Sequence, residues 1–192
     1  ALARASHAAA RADVRGVERA ITRYRRGDEQ LGGRRAETTE GVLAALAAQL
    51  DAARRLRLAR DQWATKREAL LAYRRQGRAV LDELRAGRGA LDDIKQLAGP
   101  PLSRLDALER RTRGAQQRLA ALAAPPDAQA VHALATSAAQ LTLQAATLRR
   151  QAIAAGDLAV ARDASAAAAG ALMLADRART ELERVTRPPE LP

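Results

Sequence analysis

The chain has 192 residues, of which 47% are hydrophobic, and it carries a formal net charge of +11 with no Phe, one Trp and two Tyr. Because aromatic strand formers are scarce and Ala, Leu and Arg are strong helix formers, the composition predicts an all-α fold. The absence of cysteine excludes disulfides, thiolate metal sites and a cysteine nucleophile.

The first predicted helix covers roughly the first 30 residues and ends near Gly27, or frays to Leu31. Its apolar residues recur at alternating spacings of three and four, which is typical of a heptad seam. The seam positions are Ala3, His7 (the polar exception), Ala10, Val14, Val17, Ile21 and Tyr24. Gly32 and Gly33 then indicate a loop.

The second predicted helix is much longer, since one heptad frame continues without slippage from Val42 to Ala98 and no proline interrupts it. Thr38 or Thr39 is its expected N-cap. The frame predicts a helix of roughly 60 residues, or about 90 Å. A kink is expected where the helix contains glycine, at Gly77, Gly87 and Gly89.

Three shorter helices follow, separated by a Gly-Pro-Pro turn at 99–101, a Pro-Pro pair at 125–126 and Gly156-Asp157. The apolar frame changes phase at Gly156-Asp157. A tight turn explains this change, with Gly ending one helix and Asp capping the next. A continuous helix with a stutter is the alternative.

These lengths predict an antiparallel bundle of long, heptad-patterned helices. The simplest arrangement is a four-helix bundle, residues 67–187, with a projecting basic two-helix hairpin, residues 1–66, and a Pro-rich tail, residues 188–192. The alternative is that all the helices form one bundle.

The sequence contains no pattern that is typical of an active site. His7 and His132 are not at metal-ligand spacing, and no phosphate-binding loop is present. We therefore expect a non-enzymatic protein with no metal and no cofactor.

No apolar stretch satisfies the requirement for a transmembrane helix, and we lean towards the cell envelope with a removed leader.

Basic residues are concentrated on the first helix and the first half of the long helix. On the first helix, Arg residues follow each other at intervals of four, and the segment 54–78 contains nine basic and two acidic residues. The pattern indicates either an anion-binding or partner-binding surface or an ordinary solvated face. The candidate residues are Arg11, Arg15, Arg19, Arg23, Arg54, Arg57, Arg60, Arg67, Arg74 and Arg78.

Apolar residues on the long helix spread beyond one seam, which an isolated two-helix hairpin would leave exposed. An exposed stripe of this kind is typical of an interface with a partner protein or a second copy of the chain. The candidate residues are Leu43, Leu46, Leu50, Leu56 and Trp63.

Three functions follow from these features. The first is a non-enzymatic interaction module, an accessory or scaffolding subunit that docks on a larger protein assembly. The second is a polyanion-binding protein for nucleic acid or an acidic membrane surface; nucleic acid is not favoured because few aromatic residues are available for stacking. The third is an extracytoplasmic four-helix domain that senses a ligand in its core.

Overall fold

The computed structural model of the protein describes residues 1–32, 36–97 and 99–190. Every regular element in this part of the chain is helical and no strand is present, which confirms the predicted all-α fold. In chain order the α-helices are α1 (Leu2–Ala10), α2 (Val14–Gln30), α3 (Ala36–Ala86), α4 (Arg88–Lys95), α5 (Leu102–Ala121), α6 (Gln129–Ala155) and α7 (Leu158–Val185), and a 3₁₀ turn covers Pro126–Ala128.

The chain forms two compact units. The N-terminal unit comprises residues 1–67 together with the residues from Pro188 onward, and the C-terminal unit comprises residues 68–187. Helix α3 contributes to both, with the division after Arg67.

The prediction of one continuous first helix is wrong, because the structure divides it into α1 and α2. Ala12 has a left-handed backbone conformation, with φ of 62°. Asp13 then N-caps α2 by accepting a hydrogen bond from the backbone N–H of Gly16 at 2.8 Å. A left-handed Ala costs about 1–2 kcal/mol, and both this cap and the packing of α1 against α2 offset that cost.

The N-terminal unit therefore has three helical segments around its core instead of two. The seam residues Ala3 and Ala10 are exposed. The buried cluster consists of Ala5, Ala8, Ala9, Val17, Leu46 and Ala53. Four of these six are alanines, whose small side chains let α1 approach its neighbours closely.

The prediction of one helix of about 60 residues is also wrong, because α3 ends at Ala86 and α4 begins at Arg88. The break lies at Gly87, one of the three glycines where a kink is expected. Gly87 is buried, and a Cβ atom there would lie 2.6 Å from Cδ1 of Leu108 on α5. The missing side chain thus permits close packing of α5.

The N-terminal end of the predicted long helix differs from expectation, and the last residue of its predicted frame lies outside the described residues. Helix α3 begins at Ala36, so Thr38 and Thr39 lie inside its first turn and do not N-cap it. Ala98, at the end of the predicted frame, and Gly33, in the predicted loop, lie outside the described residues.

The C-terminal unit follows its sequence pattern closely. Helix α6 packs along α7, α5 packs against α6, and α4 packs against α7. Buried residues recur at spacings of mostly three and four along α5, α6 and α7. Six of the ten residues in the buried cluster are alanines. The buried cluster consists of Leu91, Ile94, Leu105, Leu108, Ala145, Ala146, Ala164, Ala167, Ala168 and Ala171.

The predicted turn at Gly156-Asp157 is confirmed. Gly156 ends α6 in the left-handed conformation, with φ of 63°. The carboxylate of Asp157 then caps α7 by accepting hydrogen bonds from the backbone N–H groups of Ala159 and Val160, at 2.7 and 3.3 Å. The change of apolar frame is therefore a change of helix.

Among the described residues, α7 is long and apolar enough to cross a membrane by length and composition, with a mean hydropathy of 1.4 over an 18-residue window. This is weak evidence, because core helices of soluble proteins meet the same criterion. Several alanines of α7 lie in the core described above. The expectation of no transmembrane segment stays a prediction.

Candidate functional site

Just over half of the arginines in the C-terminal unit are paired with acids of the same unit. Arg150, for example, donates hydrogen bonds to Asp106 at 2.6 Å and to Glu109 at 2.9 Å, and these bonds raise the pKa of its guanidinium above the ordinary value. Nine of the 17 arginines between residues 68 and 187 form such ion pairs: Arg78, Arg88, Arg104, Arg113, Arg118, Arg150, Arg179, Arg184 and Arg187.

The N-terminal unit differs, since three of the 12 arginines described within residues 1–67 form an ion pair. Arg19 lies 3.7 Å from Asp13, Arg54 lies 3.4 Å from Glu18, and Arg57 lies 3.1 Å from Asp61. Residues 1–67 also carry 15 basic and eight acidic residues, a net charge of +7. Much of this positive charge is not neutralised within the described part of the unit.

Arg60 has a structural role that the sequence pattern does not reveal. Its Nη1 donates to the backbone carbonyl of Arg11 at 2.8 Å, and its Nη2 donates to that of Ala10 at 3.5 Å. These carbonyls lie at the C-terminal end of α1, where a cation is favourable. Its Nε also donates to the carbonyl of Pro189 at 3.4 Å. Arg60 therefore holds α1 and the C-terminal tail in place.

Of the three remaining basic candidates on α3, two have a contact with another side chain of their own unit. The guanidinium of Arg67 lies 5.6 Å from the ring centroid of Trp63, within range of a cation–π interaction. In the C-terminal unit, Arg78 lies 3.9 Å from Asp82, and Arg74 is half-buried. With Arg54 and Arg57 paired as well, the α3 arginines offer less free charge than their number indicates.

A row of exposed arginines runs along α2, and we call these four residues the α2 ridge: Arg15, Arg19, Arg23 and Arg26. Like charges spaced three or four residues apart destabilise a helix slightly. Within the described residues, Arg19 is the one member of the ridge with an ion pair. The prediction that Arg11 continues this row on the same helix is wrong, because Arg11 is the C-cap of α1.

The α2 ridge borders a large open groove of about 1230 Å³, formed by α1, α2 and the start of α3. We call it the arginine groove because four arginines line it: Arg4, Arg11, Arg19 and Arg23. Sequence reasoning did not select Arg4, since a continuous first helix would not bring it near Arg23. The left-handed turn at Ala12 is what allows α1 and α2 to form one groove.

The two aspartates that line the groove already accept hydrogen bonds from the protein. Asp13 caps α2 and pairs with Arg19, as described above. Asp28 accepts a hydrogen bond from the hydroxyl of Thr39 at 2.8 Å. The groove therefore has a net positive lining, with four arginines against two engaged carboxylates.

The rest of the lining is rich in small residues and includes the polar side chains of His7, Thr38 and Thr39. Ala8, Gly16 and Ala20 lie where α1 and α2 approach each other, and a Cβ atom on Gly16 would lie 3.1 Å from that of Ala8. Tyr24 is half-buried, whereas the side chain of Leu31 is 75% exposed. The groove thus combines basic side chains with apolar surface.

The structure places the apolar interface candidates largely inside the N-terminal unit. Leu46 and Leu56 are 0% and 4% exposed. Leu43 and Leu50 are half-buried and pack against the cluster that contains Leu46, and Trp63 is half-buried too. The folding back of α1 therefore covers much of the stripe that a two-helix hairpin would leave exposed.

Outside the N-terminal unit, the described chain offers less for binding. No group of three His, Asp or Glu side chains in residues 1–32, 36–97 and 99–190 is arranged to hold a metal ion. Two cavities between the helices of the C-terminal unit have volumes of about 20 and about 10 Å³, roughly the space of one water molecule.

Comparison of the chain with protein-family models, curated proteins and solved structures gave no match.

Proposed function

We propose that the protein is a non-enzymatic helical interaction module, an accessory or scaffolding subunit that docks on a larger protein assembly through its N-terminal unit. The observation that carries this proposal is the difference in charge pairing. Arginines of the C-terminal unit are often paired with acids of the chain, whereas most described arginines of the N-terminal unit are not. A basic surface of this kind attracts and orients an acidic partner surface.

Two other functions have less support. Nucleic-acid binders without sequence preference usually present aromatic side chains for base stacking. Here Tyr24 and Trp63 are half-buried, and Tyr73 is 3% exposed. A ligand-sensing domain needs a cavity in its core, and the two small cavities of the C-terminal unit would not hold a metabolite.

The proposal is tested by affinity purification of the tagged chain from its host lysate at physiological salt, with and without nuclease. The test variant replaces the whole α2 ridge by glutamine. A matched control replaces four exposed arginines of the C-terminal unit that have no ion pair within the described residues: Arg75, Arg85, Arg110 and Arg111. Both variants lose four positive charges. A difference in partner recovery between them therefore shows that the location of the arginines matters and not only their number.

The expected result is a stoichiometric partner protein that survives nuclease treatment and is lost with the ridge variant but kept by the control. If nucleic acid is recovered without a stoichiometric protein, the protein is a polyanion binder and the proposal is wrong. Equal loss of the partner in both variants would show that only net charge matters, which also contradicts docking through the N-terminal unit.

A further inference from the structure

We propose that the arginine groove binds an acidic amphipathic helix of a partner protein. This inference rests on the proposed function and adds the chemistry of the partner and the place where it binds. Four properties of the groove support it: its size, the helical surfaces that form it, its charge and its apolar lining.

The groove is larger and more open than a typical site for a small ligand. Sites for drug-sized molecules and cofactors usually have volumes of about 300–1,000 Å³ and enclose most of the ligand. The arginine groove has a volume of about 1230 Å³ and is open to solvent. A segment of polypeptide fills such a space better than a metabolite does.

The surroundings of the groove favour a helical segment over an extended one. An extended peptide binds by adding a strand to an exposed sheet edge, and the described residues contain no strand. Polyproline segments require grooves lined by several aromatic side chains. Tyr24 is the single Phe, Tyr or Trp in this lining. A groove between helices that combines apolar and basic side chains fits the helix-in-groove mode.

The charge of the lining selects an acidic segment. Arg4 and Arg11 come from α1, and Arg19 and Arg23 come from α2, so basic side chains are contributed by both helices. The carboxylates of Asp13 and Asp28 are engaged in hydrogen bonds and neutralise this charge in part. Guanidinium groups form strong, often bidentate hydrogen bonds with carboxylates.

The apolar lining requires that the segment be amphipathic. Ala3 and Ala20 give the groove an apolar surface, and Leu31 adds a large exposed side chain. A nucleic-acid backbone would gain nothing from these groups. The apolar stripe of an amphipathic helix would bury them, while its acidic residues reach the arginines.

The probe is a fluorescein-labelled peptide of about 18 residues, which forms a helix of about 27 Å. It contains Leu at heptad a and d positions and Glu and Ala elsewhere. A second peptide of the same composition has its leucines scrambled, so that it has equal charge but no apolar stripe. An oligodeoxythymidylate of similar length tests the nucleic-acid alternative. Binding to the full-length chain is measured by fluorescence anisotropy.

Two matched pairs of substitutions separate the groove from its surroundings. Arg4→Gln with Arg11→Gln removes two charges that line the groove but do not belong to the α2 ridge. Arg15→Gln with Arg26→Gln removes two charges of the ridge that do not line the groove. All four side chains are exposed, so the substitutions leave the core unchanged.

We expect the amphipathic peptide to bind at least about tenfold more tightly than the scrambled one. The Arg4/Arg11 variant should weaken this binding at least about fivefold, and the Arg15/Arg26 variant less than about twofold. If both peptides bind equally and both variants weaken them equally, the N-terminal unit is a diffuse basic surface. That result overturns the groove inference and leaves the proposed function intact.

Failure of both peptides to bind the full-length chain overturns the inference as well. If the oligodeoxythymidylate binds more tightly than either peptide, with a steep decrease on adding salt, the basic surface serves nucleic acid. That outcome contradicts both the inference and the proposed function.

Discussion

The phenolic oxygen of Tyr73 lies 3.4 Å from Nδ1 of His132, and the two rings are tilted by 52° with their centroids 6.3 Å apart. Tyr73 lies in the core of the C-terminal unit, and its burial raises the pKa of the phenol to about 12. The same group titrates near pH 10 in an unfolded chain. The folded state binds the phenolic proton more tightly than the unfolded state does. The contribution of the protonated Tyr73 phenol to the free energy of unfolding is therefore fully present below about pH 10, and it is lost as the pH rises towards about 12.

The free energy of unfolding of the native chain should therefore fall more steeply between about pH 10 and pH 12 than that of Tyr73→Phe. Urea unfolding followed by circular dichroism at several pH values measures both curves. All other titrating groups are common to the two proteins, so their difference isolates Tyr73. Parallel curves would show that the phenol is solvated in the folded state.

Ala171 is 1% exposed and lies in the alanine-rich seam of α7. Replacing it by arginine buries a charge with no partner, so we expect a loss of at least about 4 kcal/mol and no cooperative thermal transition of the C-terminal unit. The matched control is Ala169→Arg, an exposed site on the same helix, which should change stability by less than about 0.5 kcal/mol. Identical melting curves for the two variants would mean that the seam is not buried.

Periodicity is sufficient to predict the helices of the C-terminal unit because each of them buries one continuous stripe. Leu105 and Leu108 on α5, and Ala164 and Ala168 on α7, lie in the core where their frames place them. The change of frame occurs at a Gly-Asp pair, whose residue types end one helix and cap the next, and this favours a turn over a stutter in a continuous helix.

The N-terminal unit is harder to predict, because neither Gly nor Pro stands at the break itself, at Ala12 and Asp13. Asp13, a residue type that favours N-caps, is the one local signal, and it is compatible with a helix interior as well. Without the break, the arginine groove does not exist and Arg4 has no apparent role. The contacts of Arg60 with α1 are equally invisible to local patterns, since they join residues far apart in the sequence.

Gly16 and Gly27 lie on the same helix, and replacing each by alanine should change the stability of the N-terminal unit in opposite directions. A Cβ atom at Gly16 would lie 2.2 Å from Oδ2 of Asp13, so the alanine displaces the side chain that caps α2. We expect a loss of up to about 1 kcal/mol, the usual contribution of an N-cap, offset in part by the higher helix propensity of alanine. No atom lies within 4 Å of a Cβ at Gly27, and Gly27→Ala should stabilise the unit by up to about 1 kcal/mol.

A double-mutant cycle identifies the cause of the effect at Gly16. In an Asp13→Ala background the cap is already absent, so Gly16→Ala should no longer destabilise the N-terminal unit. Trp63, the one tryptophan of the chain, provides a fluorescence signal in this unit for the chemical unfolding curves. Equal effects of Gly16→Ala in both backgrounds would place the clash elsewhere, for instance at the Cβ of Ala8.

The turn between α6 and α7 depends on the backbone of Gly156 and not on space around it. Its φ is 63°, and no atom lies within 4 Å of an added Cβ. Gly156→Ala should therefore destabilise the C-terminal unit by about 1 kcal/mol through the left-handed conformation alone. Gly156→Asn should cost less, because Asn tolerates this conformation. Gly114→Ala is the control, since Gly114 lies within α5 where alanine favours the helix by up to about 1 kcal/mol. Thermal unfolding of the three variants, followed by circular dichroism, should give the order Gly114→Ala, Gly156→Asn, Gly156→Ala from most to least stable. If Gly156→Asn is no more stable than Gly156→Ala, the left-handed backbone conformation is not what the glycine provides.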